Sequence, residues 1–286
     1  MLESVNAGTS EAQLAKLAQL VSLFERGPIA VLTGAGMSTD SGIPDYRGAG
    51  SPPRNPMNIA QFTEDPHYRR RFWAGARIGQ NRMNTVEPND GHRALARLEA
   101  AGRIEGVITQ NVDGLHRRGG SRTVVELHGG GGVMRCIQCG ERWTRSEVLG
   151  WFDTLNPGYA ERNAGAEVAP DGDALVTEVD SVRVPLCPGC GGTLRPDVVY
   201  FGETVPVAVF DAAAELVSRS TALLVVGSSL AVNTGMRLVH KTERLGNPLA
   251  VINRGPTAID ARPSLAVRID GGTTETLTAL ADALGA

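Results

Sequence analysis

Six short apolar runs, each breaking off at a glycine or a polar group, constrain the fold of this chain more than any other feature. They are Ile29 to Thr33, Val107 to Thr109, Val124 to Leu127, Ala222 to Val226, Leu249 to Ile252 and Leu265 to Ile269. Continuous apolar runs without polar alternation suit strands covered on both faces, the condition of a parallel sheet. Segments of helical spacing lie around them. Leu14, Leu17, Val21 and Phe24 follow a capping box of Ser10 and Gln13 and stop at Gly27-Pro28. Leu95 and Leu98 ahead of Gly102, Asp211 to Ser218, and Thr276, Leu277 and Leu280 read the same way. The alternation predicts an α/β fold, a parallel sheet with helices on both faces. Ligands of such sheets bind at the carboxyl ends of the strands. Here those ends carry Gly34, Gln110-Asn111, His128, Gly227-Ser228-Ser229 and Asn253, which one cleft can gather.

Two stretches fall outside the alternation and are expected to form a second, smaller lobe. Arg47 to Arg82 is rich in Pro, Asn and Arg, with seven arginines against Glu64 and Asp65. Gly129 to Pro196 holds all four cysteines, and between Glu141 and Leu186 nine acids stand against four arginines. The charge contrast reads as two solvated faces, the usual state of a charge run. At 286 residues the chain is long enough to bury its cores without a covalent staple. Its 28 Lys and Arg against 31 Asp and Glu disfavour a strongly basic nucleic-acid binder. No run approaches the roughly 18 apolar residues of a membrane span, and the opening residues lack the basic-then-apolar pattern of a secretory leader. The expectation is a soluble, cytoplasmic protein with neither nucleic acid nor membrane among its partners.

Cys136-Ile-Gln-Cys139-Gly140 and Cys187-Pro-Gly-Cys190-Gly191 are two Cys-x-x-Cys turns, each followed by a glycine that lets the turn close. Four thiolates on two tight turns suit tetrahedral zinc. The alternatives are two disulfides, which a reducing compartment disfavours, and a redox pair, which needs no second copy. With Cys136, Cys139, Cys187 and Cys190 filling every position, no site stays open for water, so one structural zinc ion without a catalytic role is expected. The 47 residues between the pairs call for an inserted subdomain.

Gly34-Ala35-Gly36, directly after an apolar run, has the small residues that let backbone N–H groups and a helix N-terminus approach a pyrophosphate. Thr39 stands where a dehydrogenase fingerprint has its third glycine, and no second strand ending in an acid comes after it, which disfavours a nicotinamide dehydrogenase. Longer motifs then occur together and in order: GAGMSTDSGIPDYR (Gly34 to Arg47), TQNVDGLH (Thr109 to His116), ELHG (Glu126 to Gly129), the two cysteine pairs, PDVVYFGE (Pro196 to Glu203), GSSL (Gly227 to Leu230) and INRGPT (Ile252 to Thr257). In these motifs the chain resembles the sirtuins from about Gly27 to its final helix. The long insert with Leu155 to Pro157 and Ala169 to Asp173 is similar to their class II branch.

The resemblance implies a Rossmann-like domain of residues 1–46, 83–128 and 197–286, with a helical module, 47–82, and a zinc module, 129–196, as the small lobe. It also implies an NAD-dependent protein-lysine deacetylase or deacylase. NAD would be consumed: the acyl oxygen of an acylated lysine attacks C1′ of the nicotinamide ribose, nicotinamide leaves, and the acyl group ends on ADP-ribose. By the same resemblance His128 would be the general base acting through the ribose hydroxyls, a task suited to an imidazole that titrates near working pH. Asn111 and Asp113 would hold the ribose and the nicotinamide amide, with Gln110 beside them. Gly34, Ala35 and Gly36, with Ser38 and Thr39, would receive the pyrophosphate. Asp45, Tyr46 and Arg47 would close over the nicotinamide end and exclude water. Gly227, Ser228, Ser229, Asn253, Arg254, Gly255 and Gly271 match adenosine-side positions. Val198, Val199, Phe201, Gly202 and Glu203 would take the acyl-lysine peptide as an added strand.

Two departures stand out. Gly129 to Gly132 is an unbroken glycine run where the family places polar or bulkier residues. Phe72 to Arg77 lacks the tyrosine of the Tyr-x-x-Arg pair found in members that take acidic acyl groups, which disfavours succinyl or malonyl removal. His67 and His240 read as surface or satisfied core residues, and His92 as capping or packing its helix. The competing functions are protein mono-ADP-ribosyl transfer and a non-enzymatic module that binds NAD or zinc.

Overall fold

The computed structural model describes residues 11–45, 56–166, 174, 176 and 178–286. Six strands form one fully parallel sheet: β1 (Ile29–Thr33), β2 (Ile104–Thr109), β3 (Val124–Glu126), β7 (Leu223–Val226), β8 (Leu249–Ile252) and β9 (Leu265–Ile269). Their spatial order is β3-β2-β1-β7-β8-β9, so the chain builds outward from β1, crosses back and builds outward again from β7. This is the doubly wound Rossmann-like order, and its topological switch point lies between β1 and β7.

The continuous apolar runs exist because both faces of the sheet are covered. Ile29 and Val31 face α1 (Glu11–Phe24), α4 (Asp90–Ala100) and α10 (Thr273–Ala283), whereas Ala30 and Leu32 face α8 (Val207–Arg219) and α9 (Asn233–Arg244). Strands β7 and β8 divide their residues between the two faces in the same way. The expected helix over Asp211 to Ser218 gains a turn at its start, and the expected strand at Val124 ends at Glu126, one residue early. Ser10, the expected cap of α1, lies outside the described residues.

The second lobe has its own sheet, antiparallel in the order β5-β4-β6: β4 (Gly129–Cys136), β5 (Arg142–Thr144) and β6 (Leu194–Val198). It packs with α2 (Ile59–Glu64), α3 (Pro66–Met83), α6 (Arg145–Leu155) and α7 (Tyr159–Arg162) around Phe62, Phe72, Trp73, Met134, Val148, Phe152 and Leu194. Gly75 of α3 is there for closeness: a Cβ would strike the carbonyl of Ala174, whose N–H bonds Gly75 O at 2.9 Å. The two charged stretches are not simply solvated. Arg77 of the basic stretch reaches Asp153 of the acidic one at 2.6 Å and ties α3 to α6. No helix among the described residues is long and apolar enough to cross a membrane.

Candidate active site

The loops after β1 and β7 meet at the switch point backbone to backbone. Gly34 N–H bonds Val226 O (3.0 Å), Gly36 N–H bonds Gly227 O (2.9 Å), and Gly227 N–H bonds Ile252 O (2.9 Å). A Cβ on Gly34 would lie 2.7 Å from Ser228 Cβ, and one on Gly36 would lie 3.0 Å from Gly227 Cα. Gly227 has φ +59°, and a Cβ there would lie 2.6 Å from Gly36 C. The sequence-based reading gave Gly34 and Gly36 to a pyrophosphate. The structure gives the Gly34 N–H to the end of β7 and the Gly36 N–H to the loop after it, so these glycines let the two loops touch and form one floor at the strand ends. Thr39 Oγ1 and Thr273 Oγ1 both donate to Gly36 O, at 3.1 and 3.3 Å, which brings the start of α10 and the adjacent Gly271 to the same floor.

The loop after β2 is locked onto this floor by its own side chains. Asn111 Nδ2 donates to Gly34 O (3.0 Å) and Ser38 Oγ (3.2 Å), and Asn111 N–H donates to Thr109 Oγ1 (3.1 Å). Ser38 Oγ donates to Asp113 Oδ2 (2.7 Å) and Leu115 N–H to Asp113 Oδ1 (2.9 Å). Burial raises the Asp113 pKa above the ordinary carboxylate value, against those two donors. Gln110 is a crossing point: its side-chain oxygen accepts from Ser228 Oγ (2.8 Å), and its backbone carbonyl lies 2.9 Å from His128 Nδ1. A carbonyl only accepts, so His128 carries its proton on Nδ1 and its Nε2 lone pair is left as a base. Burial lowers the His128 pKa, partly offset by the Gln110 carbonyl, so the ring is neutral at pH 7.

His128 also marks the join between the two lobes. Its carbonyl accepts the N–H of Val199 at 2.9 Å, just past β6, and Gly129 pairs with Val198. Gly129 has φ +75°, and a Cβ on it would lie 3.0 Å from Val198 Cα, so this residue of the glycine run is demanded by the join. Gly131 to Val133 then lose their pairing with β6 as a bulge, with Gly131 N–H on Val112 O at 2.9 Å. Glu126, at the end of β3, was not singled out in the sequence; burial raises its pKa, Arg117 opposes the shift, and Asp113 adds to it.

The expected adenosine side is one braced turn. Asn253 Nδ2 donates to Arg254 O (2.9 Å) and Gly255 O (3.1 Å), and Arg268, a residue that sequence reasoning missed, donates to Asn253 O (3.0 Å) and Gly255 O (2.6 Å). Arg254 pairs with Glu275 at 3.4 Å, and Ser229 O accepts Ala258 N–H at 3.0 Å. Asp45 is half-buried, while Tyr46 and Arg47 lie outside the described residues, as do residues 169–173.

In the expected peptide edge, Phe201 and Gly202 are exposed and Val198 and Val199 half-buried. The side chain of Glu203 is turned inward, which leaves only its backbone for the expected strand addition. Its carboxylate takes Arg195 Nη1 (2.7 Å) and Nη2 (2.6 Å) and the N–H of Tyr200 (2.9 Å). Arg195 is 3% exposed, also donates to Val198 O (2.6 Å), and lies over the Tyr200 ring at 4.8 Å. An arginine beside a proline, with a glutamate eight residues on, was the sequence signal for this clasp.

The four cysteines come together. Their sulfurs lie within 4.8 Å of one another, with Cys136 to Cys190 at 3.5 Å and Cys139 to Cys187 at 3.7 Å. A disulfide needs about 2.05 Å, whereas zinc with four sulfurs at about 2.3 Å sets them about 3.8 Å apart. The donor set and spacing fit structural zinc. Gly140 and Gly191 adopt φ +75° and +70°, as the turns require. Gly192, unmarked in the sequence, matters as much: a Cβ there would lie 2.8 Å from Cys136 Sγ and 3.0 Å from Cys190 Sγ.

Comparison with known proteins agrees with this geometry. The Sir2 family model matches residues 34–234. NAD-dependent protein deacetylase 1 of Mycobacterium avium is 50% identical over 269 residues, 93% of this chain and 95% of the relative. A solved structure of Sir2 with a p53 peptide and NAD+ superposes with a TM-score of 0.72 at 32% identity, over 94% of this chain and 98% of the other. One of Sir2 with the inhibitor EX-527, 2′-O-acetyl-ADP-ribose and deacetylated p53 peptide gives 0.73 at 31%, over 94% and 99%.

Proposed function

The chain belongs to the Sir2 family, and from that membership we propose that its strand-end cleft is an NAD-dependent protein-lysine deacetylase centre. NAD, when bound, supplies the electrophilic ribose carbon, the nicotinamide leaving group and the ribose hydroxyls that receive the acyl group. The observation that carries the reading is the placement of His128. Its ring is held by Gln110 at the cleft and its carbonyl by Val199 at the peptide edge, which supports a base standing between dinucleotide and acyl-lysine.

The chain's own residues then divide the work. His128, neutral with its proton on Nδ1, takes a hydroxyl proton at Nε2 and returns it later. Asn111 and Asp113 sit at the nicotinamide end, and their bonds to Gly34 and Ser38 fix them before any ligand arrives. Val198 to Gly202 offer an edge on which an acyl-lysine peptide adds as a strand, with the Arg195–Glu203 clasp stiffening it from behind. Zinc held by Cys136, Cys139, Cys187 and Cys190 would stabilise the lobe that carries this edge. Cysteines that hold zinc must stay reduced, which suits a reducing compartment, so we place the protein in the cytoplasm. The insert around Leu155 to Pro157 supports a class II-like position within the family.

The test is to incubate zinc-replete protein with NAD and an acetyl-lysine peptide and follow all products by mass spectrometry. Deacetylated peptide, nicotinamide and acetyl-ADP-ribose are expected in equal amounts, none forming without NAD. ADP-ribose covalently on protein, without deacetylated peptide, would replace the reading with ADP-ribosyl transfer, and intact NAD throughout would leave only a binding module.

A further inference from the structure

Two buried histidines beneath the cleft take no part in the chemistry above. His92, on the first turn of α4, and His116, in α5 (Leu115–Arg118), are 0% and 2% exposed, with ring centroids 4.8 Å apart. Both are neutral. Burial lowers the His92 pKa to about 4, with Arg93 adding to the effect, and burial takes that of His116 well below the ordinary imidazole value, with His92 contributing.

The pair reaches both sides of the cleft floor. Asn89 N–H donates to His92 Nδ1 (3.3 Å), and Asn89 Nδ2 donates to Met37 O (2.9 Å), at the end of the loop after β1. Asn89 Oδ1, 3.0 Å from the same ring nitrogen, is the acceptor for His92 N–H. On the other side His116 Nε2 lies 2.8 Å from Thr33 Oγ1, which is bonded to Thr109 Oγ1 (2.8 Å), the acceptor for Asn111 N–H.

These contacts limit the protons. His92 Nδ1 faces a donor, Asn89 N–H, and a nearer acceptor, Asn89 Oδ1, so either ring tautomer finds a partner there. The Thr33 hydroxyl can accept from His116 Nε2 and donate to Thr109, or donate to His116 and accept from Thr109, so either tautomer fits there too. His92 Nε2 and His116 Nδ1 are left over, the two ring atoms of the pair without a partner among the described residues. When both rings carry the same tautomer these atoms are a donor and an acceptor on adjacent rings, and a direct bond or one buried water satisfies both.

We propose that His92 and His116 are positioning residues, a neutral donor-to-acceptor pair that ties the loop after β1 to Thr109 and holds Asn111 in place. The rate readouts of this proposal rest on the deacetylase reading; the proton assignment does not.

Long-range proton–nitrogen NMR of the full chain, labelled at histidine, tests it directly. Both rings should carry the same neutral tautomer, unchanged from about pH 5 to about pH 8; opposite tautomers on the two rings overturn the proposal. In parallel, His116→Phe should lower kcat about tenfold with the peptide KM unchanged, the loss expected for about one hydrogen bond's worth of ordering. Thr33→Val should match it by cutting the next link, and His116→Gln, whose amide can donate to Thr33, should restore most of the rate. If His116→Phe and Thr33→Val lower the melting temperature but leave kcat intact, the pair is only structural and the proposal falls. A wild-type chain without deacetylase activity contradicts the proposed function instead, and the tautomers still decide on the pair.

Discussion

At the carboxyl edge of the parallel sheet polar side chains are held on one side and left available on the other, whereas in the cysteine lobe they are engaged by one another. His128 gives Nδ1 to Gln110 and keeps Nε2; Arg195 gives its guanidinium to Glu203, Val198 and Pro196. Burial acts on both. A half-satisfied buried group is costly, and it persists where a ligand completes it. A fully engaged one fixes a shape. The difference separates chemistry from scaffold more sharply than residue type does, since Glu203 and Asp113 are both acids within family motifs and only Asp113 faces the cleft loops.

That contrast can be broken from the scaffold side first. Cys187→Ser, or removal of zinc by a chelator, should unfold the small lobe and take activity to background, because structural zinc contributes on the order of 10 kcal/mol to folding such a module. Far-ultraviolet circular dichroism should retain the signal of the parallel sheet and its helices; unchanged activity in metal-free protein would refute the assignment. Next in size, Arg195→Met leaves the half-buried Glu203 carboxylate without its partner, which costs about 1–3 kcal/mol. Denaturant unfolding should report that loss, and the peptide KM should rise more than the KM for NAD. Burial pushes the Glu203 pKa up, but Arg195 and the Tyr200 N–H outweigh it and hold it below the ordinary carboxylate value. The clasp's stability is therefore present above the unfolded carboxylate range and lost as pH falls through the depressed value.

A smaller effect sharpens the cleft side. Burial lowers the His128 pKa, so the base is unprotonated down to below the ordinary imidazole range. The kcat/KM profile should fall on its acid side with a midpoint below about 6.5, and a midpoint well above that value would point to another base. The smallest change is expected at Asp153→Asn. The side chains of this pair are 17% and 46% exposed, and loss of a half-exposed ion pair costs about 1 kcal/mol, visible as a slight shift in Tm with no change in rate.

Much of this was legible in the residues. Continuous apolar runs announce strands covered on both faces, and the polar groups that end those runs gather on one edge because parallel strands share a direction. Cysteine turns declare themselves by spacing. The features that were not legible depend on partners distant in sequence. Gly34 and Gly227 serve each other, a relation set by β1 and β7 being neighbours, and nothing local to either loop says so. Arg195 turns inward because the chain bends back after β6 and brings Glu203 beneath it. His116 reads as part of a motif, while its neighbour His92 comes from another helix. The glycine run resolves in part: Gly129 is required by its left-handed backbone and by Val198, whereas Gly132 meets nothing within 4 Å and has no steric need to be glycine.

The central claim, that His128 is a base in a cleft already shaped for NAD, is tested most directly by His128→Phe. NAD affinity by calorimetry and nicotinamide release in the presence of acetyl-lysine peptide should be measured on the same preparation. The expected result is NAD binding close to wild type with turnover reduced about 10²–10⁴-fold. Turnover at the wild-type rate would contradict the account, and so would loss of NAD binding in a variant that remains folded.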